Sequence, residues 1–187
     1  MFSGFTLFMQ RKKIIGGMRI VTWKDKLGGG DLRSIGQADS IVDQIHSQDE
    51  FDSLFACLYD NDRLIVMRAS DAIEKITIAH PAYLLRHKEE VLRFCQSTIN
   101  IEFKWHLALL LARLPFTEDE QPMVFEILKR WALNPKESKI VRANALQSLS
   151  QLSKQNEAFK EGFSSIIRIV EKEDVPSLNA RIRKLKR

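Results

Sequence analysis

One apolar stripe returns three times along this chain at a fixed interval. Ala145, Ser148, Leu149 and Leu152 stand 38 positions after Leu107, Leu110, Leu111 and Leu114, which stand 38 after Ala69, Ala72, Ile73 and Ile76. Each quartet has the spacing i, i+3, i+4, i+7, one face of an α-helix. Leu178, Ile182 and Leu185 prolong the series at an interval of 33, with Arg181 interrupting it. A stripe that keeps returning limits the chain to repeated helical units, because one such unit cannot bury its apolar face without stacked neighbours.

A second set of helices is expected between the first. Pro81 precedes the apolar positions Leu84, Leu85, Val91, Leu92 and Cys95. Thr117-x-x-Glu120 has the form of a capping box, opening a helix that carries Val124, Ile127, Leu128 and Trp131. Asn134-Pro135 ends it or opens the next turn, and Phe159, Phe163, Ile166, Ile167 and Val170 form the next stripe. A helix around residues 51–59 precedes the turn Asp60-Asn61-Asp62, and one with Ala38, Ile41, Val42 and Ile45 opens the array. The prediction is an all-α fold, an α-α superhelix of about four helical hairpins.

Ankyrin and tetratricopeptide repeats differ from this chain in both period and signature. Val141-Arg142-x-x-Ala145-x-x-Ser148-Leu149-x-x-Leu152 instead resembles the Val-Arg-x-x-Ala-x-x-Ala-Leu-x-x-Leu first helix of HEAT repeats. Leu58-Tyr59-Asp60-Asn61-Asp62 similarly resembles that family's Leu-x-Asp-x-Asp turn, whereas Phe103-Lys104 ahead of Leu107 lacks Val-Arg. The resemblance covers residues 31–187 and implies an armadillo-like solenoid whose second helices line a concave binding face.

Glycine and proline usage places a boundary near residue 30. Seven of the eight glycines lie in the first 36 residues, and all five prolines lie from Pro81 onward. Residues 1–30 therefore read as an irregular leader and 31–187 as the solenoid, with Met18 an alternative start. Gly28, Gly29 and Gly30 follow a short helical stretch, Trp23 to Leu27, and read as its C-cap and turn. They match neither phosphate-binding loop: the third glycine of a dinucleotide motif falls on Arg33, and no Gly-Lys-Ser/Thr occurs.

Net charge is +5, from 29 basic and 24 acidic side chains. Five of the basic ones lie in residues 181–187, so the first 180 positions hold 24 of each sign. A neutral body argues against a DNA-wrapping groove. The basic end is explained by helix C-terminal charge preference and by the polar cap that a solenoid end requires. Phe2, Phe5, Leu7, Phe8 and Met9 precede Arg11, Lys12 and Lys13, the reverse of a secretory signal, and are too few to span a bilayer. The expectation is a cytoplasmic protein without a membrane partner.

Catalytic chemistry finds little support. Cys57 and Cys95 are also 38 apart, at equivalent places on second helices, and read as small apolar residues. His87 and Glu90 have a spacing that could hold a metal, but no second such pair exists, so they read as a solvated helix face. No nucleophile elbow or Cys/His motif is present. Neither a cofactor nor a metal is expected.

Two surfaces remain as candidates for binding. Arg93, Arg130 and Arg168 recur at intervals of 37 and 38 on the second helices, forming a ladder suited to an acidic protein segment or a phosphate backbone. Trp105 lies nearly opposite the stripe of its own helix, which is apolar almost all round through Ala108 and Leu109. It is either an interface anchor or a core residue covered by another segment, such as the aromatic leader. Trp131 continues a stripe and belongs to the core. The leading reading is a non-catalytic protein-interaction scaffold. The alternative is a nucleic-acid-binding or repair protein, since alkylpurine DNA glycosylases resemble this class of helical repeat.

Overall fold

A computed structural model describes residues 22–28 and 38–187, together with the backbone of 14–15 and 18–19. Among these, Ile14–Ile15 and Met18–Arg19 form a two-residue antiparallel pairing, and the rest of the ordered structure is helical. The helices are α1 (Trp23–Leu27), α2 (Ala38–Val42), α3 (Gln48–Phe55), α4 (Arg63–Ala79), α5 (Lys88–Ser97), α6 (Ile101–Leu111), α7 (Gln121–Leu133), α8 (Lys139–Gln155), α9 (Lys160–Lys172) and α10 (Pro176–Leu185). Short 3-10 turns, Ala56–Tyr59, Pro81–His87 and Glu157–Phe159, join several of them.

The recurring stripes build one row of helices. α4 lies against α2 and α6, α6 against α4 and α8, and α8 against α6 and α10. All twelve residues of the three quartets are buried, as are Leu178 and Ile182, while Arg181 and Leu185 are half-buried. A second row, α3, α5, α7 and α9, packs on the first through the other predicted stripes. Val91, Leu92, Cys95, Val124, Ile127, Leu128, Trp131, Ile166, Ile167 and Val170 all join the continuous core. Trp131, at 3% exposure, is the core residue its stripe predicts.

Helix starts are set by short polar side chains with the same spacing as the stripes. Asp62 accepts from the Leu64 N–H, Asn100 from Phe103 and Ser138 from Val141. Each satisfies a backbone donor that the first helical turn leaves without a partner. The expected box at Thr117 is only half formed. Glu120 reaches back to the Thr117 N–H (2.7 Å), yet residues 117–120 make a turn and α7 begins at Gln121. Pro122, with its fixed φ and missing N–H, is suited to that first turn and moves the helix start past Thr117.

Residues 22–28, within the stretch expected to be irregular, are tied into the array. Thr22 and Asp25 form a capping box at the start of α1, and Gly28 caps its end in an extended conformation. Leu27 is fully buried, and its carbonyl accepts from the buried Arg68 guanidinium of α4 at 2.6 Å. Lys24 pairs with Asp60 and Lys26 bonds to Gln44. The remaining leader readings, cover by Phe2, Phe5 and Phe8 and the turn at Gly29 and Gly30, lie outside the described residues.

Gly162 is the glycine inside the array. A Cβ there would lie 3.1 Å from the Phe125 ring, which stacks on Phe159 with centroids 4.8 Å apart. Close α7–α9 packing accounts for it. Asp174, with φ 52°, turns the chain from α9 into α10, a left-handed conformation that Asp tolerates better than most residues.

Candidate interaction surface

Arg93, Arg130 and Arg168 are exposed on α5, α7 and α9, and none forms an ion pair with another described residue. Acidic side chains share their helices: Glu126 pairs with Lys129 on α7, and Glu89 is exposed on α5. The row is therefore a set of spaced guanidinium groups within a mixed surface. Such groups can make bidentate bonds to carboxylates or phosphates without first breaking an internal pair.

Trp105 is half-buried, and among the described residues it is bonded to the next helix of its own row. Its indole N–H donates to Ser138 Oγ at 3.0 Å, and its carbonyl accepts from Asn144 Nδ2 at 2.9 Å. Lys104 beside it pairs with Glu137 at 2.6 Å. These contacts give the ring a structural partner in α8 and explain why an apolar helix sits at the centre of the row.

His87 corrects the expectation of a solvated face. Its side chain is only 12% exposed and stacks on Phe55 with centroids 3.8 Å apart. Nε2 lies 2.8 Å from Asp52 Oδ1 and Nδ1 lies 2.8 Å from Glu90 Oε2. The second carboxylate, 35 positions away, comes from the neighbouring hairpin. That distance in sequence is why the short-range pattern His87-x-x-Glu90 suggested only a wet surface. Burial would raise the Asp52 pKa, but hydrogen bonds from Gln48 and His87 outweigh it and hold the carboxyl below its usual value. Tyr59 bonds to the other oxygen of Glu90, and burial together with that bond pushes the phenol up to about 12.

The two cysteines are free and buried. Burial pushes the Cys57 thiol up to about 11 and also raises Cys95, which disfavours the nucleophilic thiolate in both. No group of three or more His, Cys, Asp or Glu side chains arranged to hold a metal occurs among the described residues. No described helix is long and apolar enough to cross a membrane.

Sequence reasoning missed the buried cations. Arg142, 3% exposed, donates through Nε to the Ala132 carbonyl (2.8 Å) and through Nη2 to Glu173 (2.7 Å), linking the ends of α7, α8 and α9. Arg113 similarly binds Glu74 and Thr77 across the α4–α6 junction. The Val141-Arg142 pair was the visible signal for the first of these.

Comparison with known proteins agrees with this geometry. The crystal structure of Escherichia coli YibA, a structural-genomics target, superposes with a TM-score of 0.55 at 19% identity. The match covers 84% of this chain and 52% of YibA, so the chain spans about half that protein's length and shares its fold. No curated protein gives a significant match. A HEAT repeat domain model matches residues 30–187, taking in both helical rows, the Arg142 bridge and the capped row starts. The chain belongs to the HEAT repeat family.

Proposed function

We propose that this chain is a non-catalytic scaffold that binds another protein along its second helical row, as a short solenoid of about four hairpins with a 38-residue period. The observation that carries the reading is the exposure of Arg93, Arg130 and Arg168 on three successive helices of that row, without internal ion pairs among the described residues. A protein partner with an acidic segment complements it. Raised thiol pKa values and the absence of a metal-holding cluster among the described residues leave no catalytic centre to favour over this surface.

The test compares the full chain with the triple variant Arg93→Glu/Arg130→Glu/Arg168→Glu. Affinity capture should retain a protein partner on the native chain and lose it on the variant, while helical content by circular dichroism stays the same. Duplex DNA binding is measured in parallel against salt. Affinity that falls steeply with salt, and vanishes in the triple variant, would replace this reading with phosphate-backbone recognition.

A further inference from the structure

The last two junctions of the first row, α6–α8 and α8–α10, differ in the side chain that reaches across them. Trp105 and Ala143 are each the fifth residue of a helix opened by a side-chain cap, α6 after Asn100 and α8 after Ser138. Trp105 extends toward α8 and bonds to Ser138. Ala143 has no such side chain, and a cavity of about 330 Å³ lies between α8 and α10. Its apolar wall is formed by Ile140, Ala143 and Ala180, and its cations are Lys139, Arg181 and Lys184. Asn144 and Ser177 complete the lining, which contains no acid.

We infer that this α8–α10 groove docks an acidic segment of the protein partner, one in which carboxylates alternate with small aliphatic side chains. The inference rests on the scaffold reading and names the partner's chemistry. Three facts support it. Among the described residues, Lys139 and Lys184 are exposed and form no ion pair, and the Arg181 side chain bonds to the neutral Gln147 at 3.1 Å without an acidic partner. Lys139 is the first residue of α8, so that helix brings the positive end of its dipole to the groove, while α10 lies along it from Ser177 to Lys184. The apolar wall between the cations fits an aliphatic side chain, which a nucleic-acid backbone does not supply. Arg183 and Arg187, exposed beyond the groove, extend the positive field that would draw an acidic segment in.

The experiment uses the full chain and fluorescence anisotropy of a short labelled peptide alternating Glu with Ala. The same peptide with Gln for Glu is the control, and inorganic phosphate and a short DNA duplex are the competitors. The acidic peptide should bind and its Gln counterpart should not. Lys139→Glu/Lys184→Glu should weaken binding by about tenfold or more, as expected when charge-assisted bonds are lost. Ala143→Trp, which fills the space as Trp105 does in the neighbouring junction and leaves every charge in place, should weaken it to a similar extent. Arg183→Gln/Arg187→Gln should change it by less than about threefold, since exposed charges outside the groove act mainly through a screened field. Circular dichroism confirms that each variant folds.

Native affinity in Ala143→Trp would overturn the groove as the site, leaving general attraction to a basic end. Failure of the acidic peptide to bind, while the triple-Arg variant still loses its captured partner, would overturn this inference and leave the scaffold reading standing. Preference for the duplex, lost in Lys139→Glu/Lys184→Glu, would overturn both.

Discussion

The α6–α8 and α8–α10 junctions use the same helix, α8, and are held together differently. On the α6 side, Trp105 fills the space and donates to Ser138, Asn144 binds the Trp105 carbonyl, and Ser148 Oγ binds the Ala108 carbonyl at 2.6 Å. On the α10 side, Leu178 and Ile182 are buried, but the direct polar link to α8 is the bond from Arg181 to Gln147, beside an open groove. A solenoid's stability is approximately a sum of units and nearest-neighbour interfaces. α6, packed on α4, α5 and α8 with interlocked polar contacts, should therefore melt with the body, and α10, packed on α8 and α9 with fewer polar links, should open first. Part of this difference is the residue at the fifth position of a helix, Trp or Ala, and the rest is the bonds from Asn144 and Ser148 to backbone carbonyls of α6.

The largest effect should come from cutting into α6. Leu110 is fully buried on α6, which packs on α4, α5 and α8, and Leu110→Ala should cost about 2–5 kcal/mol in urea unfolding, through lost burial and the cavity left behind. Leu178 is as deeply buried but lies on α10, which among the described helices packs mainly on α8 and α9. Leu178→Ala should lower global stability by no more than about 2 kcal/mol, with faster amide exchange confined to α10 and its turn. Equal global losses for the two variants would show that α10 is as tightly coupled to the body as α6.

Trp105 separates packing from hydrogen bonding. Trp105→Phe keeps most of the ring and loses the bond to Ser138, at a cost of about 1 kcal/mol. Trp105→Ala should cost about 2–3 kcal/mol, below the usual range for a fully buried Trp because the ring is half-exposed. The space it opens starts with Ile101 and Glu102, where the α8 groove has Lys139 and Ile140. This variant should gain no affinity for an acidic peptide. Binding there would mean that open volume alone, without cations, suffices.

The polar contacts across the two junctions should also differ. Ser148→Ala removes a buried hydroxyl together with its bond to the Ala108 carbonyl, and should cost about 1 kcal/mol. Arg181→Ala removes a half-buried link to Gln147 and should stay within about 0.5 kcal/mol. The reverse order, by denaturant midpoint, would make Arg181 a structural residue and weaken the case that it is free to receive a ligand.

Most of this architecture was legible because its rules are local. The three quartets, the second-helix stripes and the place of Trp131 follow from apolar spacing, and backbone hydrogen bonding then dictates the helices. The cap residues Asp62, Asn100 and Ser138, also 38 apart, carried a further signal that the apolar pattern alone did not use. What was not legible depends on partners distant in sequence. His87 is sandwiched because Asp52 and Phe55 arrive from another hairpin, and Arg142 is tolerated inside because Glu173 and the Ala132 carbonyl meet it. The groove was missed for a related reason: an alanine is conspicuous only beside the tryptophan that holds the matching position one unit earlier.

The smallest expected effect is a pH dependence at the other face of α6. Burial lowers the His106 pKa below its ordinary 6.5, opposed by Asp71 and Glu74 and assisted by Lys75 and Arg113. The Glu74 carboxylate is 3.9 Å from Nδ1, too far for a hydrogen bond to compensate an imidazolium fully. Because the folded-state pKa is depressed, the folded protein stays neutral here while the unfolded chain takes up a proton. The stability contribution of His106 is thus complete above about pH 6.5 and declines as pH falls toward the folded-state value. His106→Gln should lose this component, so the gap in melting temperature between native protein and variant should narrow from pH 7.5 to pH 5. A gap that widened on acidification would mean that Asp71 and Glu74 outweigh burial at the α4–α6 junction.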